Sequence, residues 1–202
     1  MKVKLSISIL LFALLCEVYG QIDLTMEYFN GNINRYCTDG LGKSLGLKIC
    51  FNYPSKWSIN EGNRPHVVKK FVCVETSEVV LFMINQLDHI YTQSEIQREL
   101  SENSLRLVGN DLGTYISHDN NLRIDGLKAA SVTYKTYETR GSIKLMLYNV
   151  TYIFFYKDKY VTFMFGNSSS NSETELKRNF EKNKILYQLI INSIVVNNQW
   201  DN

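Results

Sequence analysis

Two prolines and three histidines in 202 residues are the scarcest informative features of this chain. So few prolines leave long segments free to pair as strands or wind as helices, which excludes a proline-rich spacer and fits poorly with disorder. His66, His89 and His118 form no H-E-x-x-H or H-x-H pattern, and no G-x-S-x-G elbow is present to seat a serine nucleophile. Neither charge is in surplus: 22 basic residues stand against 20 acidic ones. Binding of nucleic acid or anionic membrane depends on a marked basic excess, which is missing here. The four cysteines never reach C-x-x-C spacing, which counts against a structural zinc site.

What is present begins with an export pattern. In residues 1–20, "MKVKLSISILLFALLCEVYG", Lys2 and Lys4 precede an apolar run from Leu5 to Cys16, and Val18 and Gly20 occupy the two positions a signal peptidase reads. The run is about a dozen residues where a spanning helix needs ~20, so cleavage after Gly20 is expected rather than a membrane span. Cys16 follows Leu14 and Leu15 instead of a small residue, which argues against lipid attachment. Cys37, Cys50 and Cys73 then remain. An oxidising compartment permits one disulfide among them, and all three pairings are open. With 45% hydrophobic residues, the rest reads as a polar lead-in over 21–45 and one domain over 46–198, large enough for a single core.

Within 46–198 the apolar period changes in step with the turns. Leu47, Ile49, Phe51 and Tyr53 alternate as a half-buried strand; Pro54 has no N–H to continue a ladder, and Trp57 returns to the core. Tyr53, Pro54 and Trp57 therefore read as a corner rather than a binding site. His66–Glu75 and Glu78–Leu87 flank a polar turn as a hairpin. Thr92 and Glu95 have capping-box spacing before a helix expected over 93–108 and closed by Gly109. Strands follow, separated by turns at Asp119–Asn121 and Asp125–Gly126. Next comes an aromatic hairpin over 142–166, tipped by Lys157–Lys159 and apolar on both faces. Strands of that kind need cover on both sides. A second helix beginning after Ser172 offers Leu176, Phe180, Tyr187 and Ile190 on one face. The order predicts an α+β fold, a central antiparallel sheet sandwiched between helices.

Candidate chemistry is sparse. "CTDGLGKS", Cys37 to Ser44, mimics a phosphate-binding loop, but Cys37 replaces its first glycine and neither flanking element is evident. Asp88–His89 and His118–Asp119 look like orienting pairs, yet neighbours on a strand point to opposite faces, so neither pair is expected to meet. Asp119, Asn121 and Asp125 depart from a calcium loop where Arg123 and Ile124 stand. Glu75 and Glu78 read as turn charges. The many tyrosines and phenylalanines read as sheet filling before they read as a ligand platform.

The I-x-F-x-Y-P-x-x-W strand (Ile49, Phe51, Tyr53, Pro54, Trp57), the hairpin and helix, the D-G-L-K-A turn (Asp125 to Ala129) and the closing helix with Ile190, Ser193 and Ile194 resemble the PsbP-like and DcrB-like domains. That superfamily also holds the nuclear-import factor that binds the small GTPase Ran. The resemblance implies an antiparallel sheet between helical layers, no catalytic residues, no cofactor and no metal. Its better-known members dock on other proteins. On these grounds the chain is expected to be an exported, non-enzymatic accessory or protein-binding domain of the periplasm, cell envelope or exterior, with a protein partner and no nucleic acid. The alternatives are a small envelope hydrolase or a carrier of an apolar ligand.

Overall fold

The computed structural model describes residues 23–170 and 172–200; the expected signal segment and Cys16 lie outside them. Helix α1 (Leu24–Phe29) starts on Asp23, whose carboxylate accepts from the Thr25 and Met26 N–H groups. Strand β1 (Ile33–Cys37) pairs with β2 (Ile49–Pro54), so the polar lead-in holds a helix and a strand where at most a helical turn was expected. β1 pairs only with β2 and is mostly exposed, so it has no apolar period to read. Cys37 and Cys50 face each other across these strands and form the disulfide, while Cys73 is free and buried.

The chain then crosses to a second sheet. The Trp57 N–H donates to the Pro54 carbonyl at 3.0 Å, closing a four-residue turn that carries the chain from β2 into β3 (Ser58–Glu61). β4 (Val67–Cys73) and β5 (Glu78–Gln86) form the expected hairpin. Helices α2 (Gln93–Glu99) and α3 (Glu102–Leu112) follow, then β6 (Thr114–Ile124), β7 (Leu127–Arg140), β8 (Ile143–Tyr156) and β9 (Lys159–Ser169). Helix α4 (Glu173–Asn192) and β10 (Val195–Val196) complete the order. The seven-stranded antiparallel sheet runs β3-β4-β5-β9-β8-β7-β6, and the small sheet runs β1-β2-β10. Asp125 and Gly126 both have positive φ, as a two-residue turn between β6 and β7 requires.

The α+β sandwich read from the sequence is the one observed, with unequal cover on its two faces. One face of the large sheet packs on α4 and the small sheet. There Phe51 lies 5.3, 5.6 and 5.0 Å from the rings of Phe71, Phe82 and Phe163, and Phe180, Tyr187 and Ile190 descend from α4. The other face packs on α2 and α3 through Leu100 and Leu105 against Ala130, Val132, Tyr134, Ile153 and Phe155. That cover lies over β7, β8 and the near part of β9. Beyond it, Val79, Leu81 and Met83 on β5 are only half-buried.

Two further readings need correction. The single helix expected over 93–108 is two helices, because Ser101 acts as a second N-cap and accepts from the Ser104 N–H. Gly109 lies inside α3 rather than at its end: a Cβ there would come within 2.8 Å of the Tyr115 ring and 3.0 Å of Val132, so this glycine permits close helix–sheet contact. Ser101→Ala is expected to cost about 1 kcal/mol, measured as a lowered urea midpoint with an unchanged slope. Asp119–Asn121 is also not a turn. β6 continues through it with a bulge, and the Asp119 carboxylate accepts from the Asn121 N–H at 2.9 Å, satisfying a donor that the bulge removes from the ladder.

Candidate functional site

The half-covered face creates a concavity. Its floor is the half-buried row Leu81, Met83 and Met164, which continues into a smaller hollow at Val79 and Leu147. On one side stands the C-terminal end of α3, with Leu112 45% exposed, and beside it Glu138 of β7. On the other side the loop before β4 brings Arg64 and His66, and Lys70 rises from β4. The main part encloses about 430 Å³, within the range of ligand and peptide sites. In the hollow, Gly166 opposes Asn149, whose side chain would lie 2.6 Å from any added Cβ. Gly166 thus leaves room for the Asn149 side chain at that point.

The backbone of this floor is already used. β4, β5 and β9 each pair on both sides, so only side chains are offered to a partner. The sheet's free edges are poorly suited to adding a strand: β3 has four residues, and β6 is broken by two register shifts.

A second concavity, about 410 Å³, lies at the loop that mimics a phosphate cradle. Its cations are committed internally: Lys43 donates to the Gly62 carbonyl and Lys69 pairs with Glu61. Gly42–Ser44 forms a single 3-10 turn, and Ser44 donates to the Leu41 carbonyl at 2.6 Å. No helix N-terminus follows to cradle a phosphate.

The histidines divide. Asp88 and His89 do meet, contrary to the expectation for neighbours on a strand, because they lie in a bend after β5. His89 Nδ1 is 2.8 Å from Asp88 and Nε2 is 3.1 Å from Glu95. Glu95 first, then Asp88, raises the His89 pKa, whereas Glu95 is held at about 2, chiefly by its bonds from Thr92. With both nitrogens engaged by carboxylates, the ring has no vacant position for general-base work. His118 bonds Tyr115 Oη through Nδ1 at 2.7 Å, and no bond joins it to Asp119. His66 stands alone at the groove rim.

The other singled-out residues are structural. Tyr53 and Trp57 are buried in the core between the sheets. The Asp125 carboxylate accepts from the Val196 N–H at 2.8 Å, Gln199 at 2.9 Å and Trp200 at 3.3 Å, so it clamps the C-terminal segment. Among the described residues no cluster of three or more His, Cys, Asp or Glu is placed to hold a metal ion, and no helix is long and apolar enough to cross a membrane. Glu78, read as a turn charge, is 1% exposed; it accepts from Tyr187 at 3.1 Å, Thr76 at 3.0 Å and Asn183. Burial pushes its pKa up to about 7. The burial is tertiary, since α4 supplies two of its donors.

No protein-family model matches the sequence, and no curated protein matches it. By structure, the chain is similar to the cyanobacterial PsbP protein of Synechocystis, with a TM-score of 0.54 and 15% identity over 82% of this chain and 92% of that one. The fold is PsbP-like. A weaker likeness, with a TM-score of 0.46 and 11% identity, joins it to LpqN of Mycobacterium tuberculosis, described as involved in cell envelope biogenesis, over 88% of this chain and 99% of that one. Another is to a Bacteroides thetaiotaomicron protein, with a TM-score of 0.45 and 13% identity over 80% of this chain; this chain spans about half of that protein's length. The D-G turn, the Y-P-x-x-W corner and the closing helix serve as frame. The groove residues Lys70, Leu81, Met83 and Met164 were legible only as strand residues, apart from the Lys69–Lys70 pair interrupting an apolar run.

Proposed function

We propose that the chain is an exported, non-enzymatic accessory domain that docks on another protein through the open groove beside α3. The observation that carries this reading is the uncovered half of the sheet face, where apolar side chains lie beside a flank of Arg64, His66 and Lys70. A carrier of an apolar ligand would wall its cargo with apolar side chains, whereas Arg64, His66, Lys70 and Glu138 line this groove. A hydrolase would gather an acid, a base and a nucleophile at a concavity, and here two of the three histidines are engaged elsewhere. Export is supported by the composition of residues 1–20, and a role outside the cytoplasm follows from it.

The experiment is comparative capture from the extracytoplasmic fraction, using the wild-type chain and Leu81→Glu, which places a charge on the floor without touching the buried cores. One defined protein is expected to co-purify with the wild type and to be depleted at least tenfold with the variant. Equal capture by both, with matching circular dichroism, would remove the groove from the binding surface.

A further inference from the structure

We infer that the groove receives one amphipathic helix of the partner protein, lying beside α3 with acidic residues turned toward Arg64, His66 and Lys70; this deepens the docking reading above and rests on it.

Width is the first argument. The uncovered half of the face spans β4, β5 and the far side of β9, and strands lie ~4.8 Å apart, so β4 and β9 are roughly 10 Å apart. A helix with its side chains measures ~10–12 Å across. One helix fits there and two do not, and it would continue the layer that α2 and α3 begin. Length agrees. Val79, Leu81 and Met83 alternate along β5 on this face, a row of roughly 14 Å at ~3.4 Å per residue. About nine residues of helix cover that distance at 1.5 Å each, which places apolar side chains at i, i+3 or i+4, and i+7. An extended segment is excluded as the main recognition mode because the floor has no free backbone to pair with.

Charge supplies the chemistry of the flank. Among the described residues, Arg64, His66 and Lys70 make no ion pair. Covering Arg64 and Lys70 with an apolar surface would desolvate two cations without compensation, whereas carboxylates on the partner's near flank supply it. The geometry thus specifies a helix that carries acidic residues along the side facing Arg64, His66 and Lys70.

The test uses two synthetic helical peptides with the same apolar face, one flanked by Glu and the other by Lys, titrated into the methyl-labelled full chain. The Glu peptide is expected to shift the methyl signals of Leu81, Met83, Leu112 and Met164 and to bind at least tenfold more tightly than the Lys peptide. Lys70→Glu is expected to erase or invert that preference. Equal binding of the two, shifts confined to other methyls, or no shifts at millimolar peptide would overturn the inference. So would the same methyls responding instead to the chain's own concentration, which marks a second copy, or to phosphatidylglycerol vesicles, which marks a membrane. Groove-dependent capture together with peptide failure leaves docking standing and removes the helix; groove-independent capture removes docking itself.

Discussion

Trp57→Ala is expected to lower the unfolding free energy by about 3–5 kcal/mol, the range for emptying a buried aromatic site. The indole is 4% exposed and belongs to the core cluster that joins the small sheet to the large one. It also anchors the chain where β2 hands over to β3, so the neighbours that would have to collapse into the cavity lie on two separately hydrogen-bonded sheets. Such a site relaxes poorly. Trp57→Phe separates volume from polarity. The indole Nε1 is buried with no acceptor, and an orphan donor of this kind costs ~1–3 kcal/mol. Phenylalanine gives up some packing but also discards that donor, so its loss is expected to stay below about 1.5 kcal/mol. Equilibrium denaturation of the three proteins reads both effects; an unchanged midpoint for Trp57→Ala would show that the ring does not bridge the sheets.

Glu78→Gln is expected to stabilise the protein at pH 8 and to leave it near parity at pH 4. Burial raises the native pKa of Glu78 from 4.5 to about 7, so between those values the folded chain holds a proton that the unfolded chain has released. Stability from this group is complete below pH 4.5 and fades as pH rises through about 7, at a cost of up to about 3 kcal/mol. Glutamine cannot ionise and still accepts from Tyr187. The groups facing the carboxyl are Thr76 beside it in the β4–β5 turn, Cys73 and Asn167 on the flanking strands, and Asn183 and Tyr187 from α4. Denaturant midpoints of both proteins from pH 4 to pH 8 test this. A constant difference across the range would mean that Glu78 does not titrate within it.

Local chemistry was legible wherever it was self-contained. The Asp125–Gly126 turn, the Thr92 and Glu95 box, and the doubly apolar arms of β8 and β9 each carry their signal within a few residues. What escaped notice depends on distant partners. β1 is a strand only because β2 lies beside it, and Glu78 is buried only because α4 descends on it from more than a hundred residues away. The break at Ser101 hides within an unbroken apolar period, and Asp119–Asn121 uses turn residues to make a bulge. The groove is harder still to read, because it arises where cover stops, and a missing neighbour leaves no mark on a strand's alternation.

β10 pairs Val195 and Val196 with Cys50 and Ile49, so the small sheet is finished by a strand that lies far along the chain from its partner. β2, which carries the disulfide partner Cys50, lacks a neighbour on that side until β10 reaches it. Contacts of such long sequence separation close slowly. Closure of the small sheet is therefore expected among the later steps of folding, after the hairpins of the large sheet have formed.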